Sequence, residues 1–444
     1  MQKLTIGVIG RSDRRIIQAA KMAQKQSESL EVKVYKPIIK FTAEPELRNK
    51  IIEEQILHKF SLYEAIACDR SFTDYTYGNC ENVYSSLNSK EIESFAINNY
   101  FGLINFIQGV DFVVDGLHDN ILTAISRMIC TSYGKKMYQW RNWHILPNHT
   151  WIIDEDKNRL SIIRKIMQDP IKYGFDSSIN WEERLRGSFG KAYGFEISIK
   201  EKIRLFLDKR KGYERGSLYK IIKRRVNKSL RRKSEVFGLY ANIPSNEKYV
   251  VYCMHVAPEA SILGTDPEIS DQISVIKKLR LATPLGVGVY LKIHPGNKWH
   301  KDFPGQFINS IKSYAGIKII HEGISISEVM NDKNCLLIST INGSVLIDSM
   351  LARVPALAFG VSIAEYSGYI DKYTSIHQLR KMICDIVEDG RESYLLERTK
   401  KINELSFAIL NSAIKINDEK KYPKSWAEHF AEFIKKSQDL YARE

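Results

Sequence analysis

Along the chain the spacing of apolar and polar positions switches repeatedly between two kinds of segment. Short apolar runs rich in β-branched residues stop abruptly at polar or turn-forming residues, as buried parallel strands do. Between them, apolar positions recur three and four apart, as on amphipathic helices. Strands are predicted at residues 3–10, 32–39, 110–114, 249–255, 287–293 and 335–340. Helices are predicted at 16–26, 43–68, 92–109, 121–133, 269–281, 307–314, 345–352, 376–388, 395–411 and 422–443. Strands alternating with helices of this length imply βαβ units. Gly7 and Gly10 are expected to form a tight strand-to-helix turn rather than a dinucleotide fingerprint.

In such sheets ligands bind outside the carboxyl ends of the strands. Three polar clusters of the second half fall at that edge. The run 249–253 leads into His255 and Glu259, the run 287–291 into Lys292, His294 and Pro295, and the run 335–338 into Ser339, Thr340, Asn342, Gly343 and Ser344. Hydroxyls and free backbone N–H groups before a helix suit a phosphate, and Gly343 lets the backbone approach it closely. The plainer alternative is that Ser344 or Asn342 is only a helix N-cap.

In the first half, the run 110–114 ends in Asp115, His118 and Asp119. A His between two carboxylates suits general acid–base work, and Asp115 could act as base or nucleophile in sugar transfer. Equally, Asp119 or Asn120 caps the next helix and His118 is solvated. The segment 137–151 carries Tyr138, Trp140, Trp143, His144, His149 and Trp151, which fits sugar stacking or a core strand with a polar loop. Asp154-Glu155-Asp156 is expected to be a turn and N-cap rather than a metal-binding pair.

Length sets two domains as the default for 444 residues. The six cysteines (Cys68, Cys80, Cys130, Cys253, Cys335, Cys384) form no CxxC pair, which points to inert thiols in a reducing compartment. The first ten residues have too short an apolar run for a signal peptide, and no stretch approaches the roughly 20 apolar residues of a membrane span. The net charge of +14 is concentrated: residues 200–233 hold fifteen Lys/Arg against Glu201, Asp208 and Glu214. Within 218–233, Lys220, Lys223, Arg224, Arg225, Lys228, Arg231, Arg232 and Lys233 alternate with apolar residues at helical spacing. A basic amphipathic helix suits an anionic membrane surface. Nucleic acid would also take such charge, but no nucleic-acid-reading motif accompanies it. A solvated helix that is merely basic is the third reading.

Four pieces, in this order, carry a family resemblance: Met254-His255-Val256-Ala257-Pro258-Glu259-Ala260, Lys292-Ile293-His294-Pro295, the loop Ser339 to Ser344, and Ala352 to Gly360 (ARVPALAFG). Together they resemble the capsule polysaccharide biosynthesis glycosyltransferases, and the His-Pro and Ser/Thr pieces are also similar to motifs of bacterial sialyltransferases. The likeness covers 249–360 well and the first half thinly. It implies the α/β fold called GT-B: two Rossmann-like domains facing a central cleft, with a C-terminal helix crossing back to the first domain through Trp426, Phe430, Phe433 and Ile434. The expected division is 1–165, an acceptor domain; 166–246, an inter-domain region with the basic helix; 247–415, a nucleotide-sugar domain; and 416–444, the crossing helix.

By this resemblance the chain transfers a sugar from a nucleotide donor, such as CMP-activated Kdo or a sialic-acid-like sugar, to a lipid-linked or growing glycan. His255, Glu259, Lys292, His294, Pro295, Ser339, Thr340, Asn342, Gly343 and Ser344 would hold the donor, and Asp115, His118 and Asp119 would face the acceptor. Asp69-Arg70-Ser71 is similar to an acceptor-side segment of the family, although a surface ion pair accounts for it equally. Neither metal nor cofactor is expected, since cations and helix N-termini can offset the leaving phosphate. The expected location is cytoplasmic, on the inner membrane face. Teichoic acid polymerases, which transfer polyol phosphate from CDP-linked donors, have a similar arrangement. A non-catalytic protein that binds membrane or nucleic acid through 218–233 is the alternative of another class.

Overall fold

A computed structural model describes residues 4–9, 14–68, 88–115, 121–142, 149–154, 161–188, 240–244, 246–255, 269, 271–294, 311, 314–321, 323–360, 362–415 and 424–442. Thirteen strands are described: β1 Leu4–Ile9, β2 Leu30–Tyr35, β3 Phe112–Asp115, β4 Lys136–Asn142, β5 His149–Asp154, β6 Tyr240–Ala241, β7 Lys248–Cys253, β8 Val287–Lys292, β9 Ile317–Ile320, β10 Cys335–Thr340, β11 Ala356–Ala358, β12 Asp371–Lys372 and β13 Ala413–Lys415. The helices are α1 Arg14–Gln26, α2 Pro45–His58, α3 Leu62–Cys68, α4 Ser89–Gln108, α5 Ile121–Ser132, α6 Ser161–Gln168, α7 Trp181–Ser188, α8 Gln272–Ala282, α9 Ile326–Asn331, α10 Val345–Leu351, α11 Ala364–Ser367, α12 Ile376–Asp389, α13 Arg391–Leu395, α14 Ile402–Ser412 and α15 Lys424–Ala442.

The strands form two sheets. The first runs β13-β5-β4-β3-β1-β2, parallel from β4 to β2, with β5 and β13 antiparallel at its far edge. The second runs β12-β11-β10-β7-β8-β9-β6, and every pair in it is parallel. Counted from β7, its first six strands have the doubly wound order 3-2-1-4-5-6, with β6 added beside β9. Burial on both faces explains the unbroken apolar runs: all of β10, and all of β7 except Lys248, is buried.

Local signals set many helix starts. Asn88 and Glu91 close a capping box on α4, Asp271 accepts from Ile273 N on α8, and Ser375 accepts from Gln378 N on α12. Three expectations are corrected. The segment 43–68 is two helices, because Lys59 turns left-handed (φ 52°) and its N–H caps α2 on Gln55 O. Gly7 lies within β1, while Gly10 lies outside the described residues; an added Cβ at Gly7 would sit 2.8 Å from the Phe106 ring, so the glycine lets α4 close on the sheet. The segment 395–411 is also broken, by a 3-10 turn at Arg398–Lys401. Arg398 there is bound to Asp371 and Tyr394, while Asn403, one turn on, accepts from Trp181 N.

At that break the chain returns to the first sheet. β13 pairs with β5, and α15 packs along α1. Phe430, Phe433 and Ile434 are buried with Ile16, Ala19, Ala20 and Ala23, so the crossing helix expected from the sequence is present; Trp426 is not among the described side chains. The same core includes Leu346 and Met350 of α10, Ile163 of α6 and Leu185 of α7, which joins the two sheets' units. Arg353 donates to Glu182 Oε2 at 2.8 Å across this junction. Two Rossmann-like units with C-terminal helices returned to the first constitute the GT-B architecture. Among the described residues, no helix is long and apolar enough to cross a membrane.

Candidate functional site

In the second sheet the strand order reverses between β7 and β10. Chains leaving these two strands diverge to opposite faces and leave a crevice at their carboxyl ends. His255, just beyond β7, and the loop after β10 meet there. The imidazole is buried, and its Nε2 lies 2.9 Å from Thr340 Oγ1 and 3.4 Å from Asn342 N. Thr340 Oγ1 also lies 3.0 Å from Cys253 O. A backbone N–H can only donate, so the Asn342 contact requires an unprotonated Nε2. If Nε2 gains a proton, it donates to Thr340, whose own proton then goes to Cys253 O.

Gln272, the first residue of α8, fixes His255 from behind. Its Oε1 accepts from His255 N at 2.9 Å and from Tyr252 OH at 3.2 Å, and its Nε2 donates to His255 O at 3.3 Å. The sequence reading missed Gln272. Its only sequence signal is a polar residue that follows an N-capping Asp where a buried face begins. Gly343 matters for its size: an added Cβ would stand 3.3 Å from Thr340 Oγ1 and 3.4 Å from His255 Cε1.

The other expected donor residues fall in different places. Ser339 is fully buried and its hydroxyl donates to Val251 O at 2.9 Å, tying β10 to β7. Ser344 is exposed, precedes α10, and makes no side-chain cap. Lys292 ends β8 and its ammonium donates to Ile324 O, in the loop that follows β9. His294 is exposed, two residues past β8. Glu259 and Pro295 lie outside the described residues, as do Asp69-Arg70-Ser71, Glu155, Asp156 and the eight cations of 218–233. So does most of 307–314.

A half-buried carboxyl and two buried thiols complete the electrostatics. Asp348 in α10 has its carboxyl pushed up to about 6 by burial. Burial raises the Cys253 thiol and pushes Cys335 up to about 12, so neither is a thiolate at neutral pH. In the first sheet, order reverses between β1 and β3. Asp115 ends β3 there, fully buried, and accepts the Thr123 hydroxyl of α5; His118 and Asp119 lie outside the described residues. Among the described residues, no group of three His, Cys, Asp or Glu could hold a metal.

No protein-family model matches the sequence, and no curated protein matches it. Solved structures do. KpsC of Thermosulfurimonas dismutans, as a β Kdo 2,4 transferase, is similar at 10% identity over 73% of this chain and 88% of that one, with a TM-score of 0.38. Its β Kdo 2,7 transferase is similar at 11% identity over 79% and 97%, again at 0.38. HepE of Anabaena in complex with UDP is similar at 11% identity over 100% and 99%, at 0.32. Kdo transferases are thus among the solved proteins this chain is similar to, as they are in the resemblance carried by residues 254–360. These likenesses are loose, and the fold assignment rests on the two strand orders.

Proposed function

We propose that the chain is a glycosyltransferase of bacterial capsule or surface polysaccharide synthesis. Its donor is a nucleotide-activated sugar, of the CMP-linked acidic kind, bound at the carboxyl edge of the second sheet. The observation that carries this reading is the His255 ring held between Thr340 Oγ1 and Asn342 N at the point where strand order reverses. Backbone N–H groups of 343 and 344 contact the donor phosphate, with Gly343 allowing close approach and Ser344 adding its hydroxyl. Thr340 and Ser339 support this loop from within. His294 donates to the phosphate or protonates it as it leaves. The acceptor hydroxyl attacks the anomeric carbon, the bond from that carbon to the phosphate oxygen breaks, and the acceptor proton passes to Asp115 or to its neighbour His118. Cations offset the leaving charge in place of a metal. The basic stretch 218–233 holds the enzyme on an anionic membrane face, where a lipid-linked acceptor is available.

Thermal stabilisation of the purified chain by CMP, CDP, UDP and GDP tests this reading, repeated on His294→Ala. A ligand that binds only the folded state raises the melting temperature. Stabilisation by CMP or CDP that is lost in the variant supports a cytidine-linked donor. A shift with UDP or GDP alone keeps the transferase and discards the acidic sugar. No shift with any of the four overturns the proposal.

A further inference from the structure

The carboxyl edge of the first sheet holds a polar cluster of which the sequence reading named one member. Asp115 and Gln139 are Cα partners across β3 and β4. Two positions earlier on the same strands stand Val113 and Met137, both in the core that includes α5. Side chains alternate along a strand, so Asp115 and Gln139 face that same side. The Thr123 hydroxyl of α5 accordingly donates to Asp115 Oδ2. Asp115, Thr123 and Ser126 are 0% exposed and Gln139 is 1% exposed. Among the described residues, neither Gln139 Nε2, Gln139 Oε1 nor Ser126 Oγ has a hydrogen-bond partner.

A buried amide left without partners destabilises the fold, and Leu or Met would fill the same volume without that cost. Gln139 moreover stands next to Asp115, where the order β2-β1-β3-β4 reverses and ligands bind. We infer that Asp115 and Gln139 together form a subsite that reads hydroxyl groups of a saccharide. The Asp115 carboxylate accepts one O–H, Gln139 Nε2 donates to a hydroxyl oxygen, and Gln139 Oε1 accepts a second O–H. The carboxylate disfavours an anionic group, which separates this subsite from the phosphate loop of the second sheet. Because Gln139 is desolvated, a ligand without the matching hydroxyl leaves its amide unpaired and is rejected by up to about 10⁴-fold. The inference rests on the reading of Asp115 as an acceptor-side residue and adds Gln139 as its specificity partner.

Saturation-transfer NMR with lactose, maltose and chitobiose tests it on the full chain and on Gln139→Leu, with nucleotide stabilisation measured on both. The expected result is saturation transfer to at least one disaccharide. Gln139→Leu should melt at or above the wild-type temperature, keep its nucleotide response and weaken the disaccharide by more than about tenfold. A second measurement needs no variant: monodeoxy analogues of the bound disaccharide should include one that binds more than about tenfold more weakly. Saccharide binding that survives Gln139→Leu, or equal binding of every deoxy analogue, overturns the inference. So does nucleotide stabilisation with no disaccharide bound, which leaves the donor site standing. Saccharide binding without any nucleotide response sinks the donor reading instead and retains the subsite.

Discussion

Thr340 Oγ1 stands between His255 Nε2, at 2.9 Å, and Cys253 O, at 3.0 Å, so one hydroxyl couples the ring to the end of the neighbouring strand. Thr340→Val keeps the shape and removes that link. Cys253 O then loses the hydroxyl that donates to it and His255 Nε2 loses one of its two neighbours, so stability should fall by about 1–3 kcal/mol. If the ring orients the nucleotide loop, the nucleotide-induced rise in melting temperature should shrink as well, while Thr340→Ser restores both. Denaturant unfolding and melts with CMP or UDP separate the two effects. A Val variant with unaltered nucleotide response would remove Thr340 from the donor site.

Gly343→Ala tests close approach rather than hydrogen bonding. The new Cβ would meet Thr340 Oγ1 at 3.3 Å and His255 Cε1 at 3.4 Å, so the imidazole must give way by a few tenths of an ångström. The loop is at the surface edge of the sheet, and the expected loss of stability is below about 1 kcal/mol. The expected loss of nucleotide binding is larger, because the shift falls on the ring and on the backbone that faces the ligand. Equal nucleotide stabilisation in variant and wild type would count against the loop as the phosphate cradle.

Asp348 makes the second unit sensitive to pH. Burial holds its folded pKa at about 6, against 3.8 for the free side chain. Well below the lower value the carboxyl is protonated in both states and contributes no difference. As pH rises between the two values, the unfolded chain ionises first, the native state binds more protons, and stability falls. Above the folded value the cost is complete, on the order of 2–3 kcal/mol. Asp348→Asn should therefore be more stable than wild type at neutral pH, with the gap closing under acid. Urea titrations at several pH values measure this, and parallel curves for the two proteins would refute it.

Much of this arrangement was legible because it depends on runs and edges. Both reversal points were indicated by apolar runs that stop at polar residues: His255 after β7, Asp115 at the end of β3. Very short strands were not legible. β11, β12 and β13 have two or three residues each, too few to show a period, and β13 is defined only by its distant partner β5. Ser339 shows the limit of motif reading. Its residue type suits a phosphate, yet its hydroxyl donates to Val251 O, a partner that only sheet register reveals. Gln272 and Gln139 were missed for a related reason. Nothing in the adjoining residues marks either one, and only burial and partners distinguish it from a surface position.

The return of the C-terminal helix predicts a long-range effect on the first unit. Phe430 and Phe433 are each 0% exposed, with ring centroids 6.3 Å apart, and they share a core with Ile16, Ala19, Ala20 and Ala23 of α1. α1 is flanked by β1 and β2, so its packing holds the start of the first sheet. Phe433→Ala should cost about 3–5 kcal/mol, the usual range for a buried phenylalanine whose site cannot collapse. The loss should appear in the first unit, although the substitution is more than four hundred residues from α1 in sequence. Native-state hydrogen exchange can locate it: amides of β1, β2 and α1 should exchange faster, while those of β7 and β10 keep their protection. Fluorescence melts should show the first unit unfolding earlier, and nucleotide stabilisation of the second unit should survive where the first is still folded. Uniform loss of protection over both sheets would instead show that the two units unfold as one, through the core where α10 meets α6 and α7.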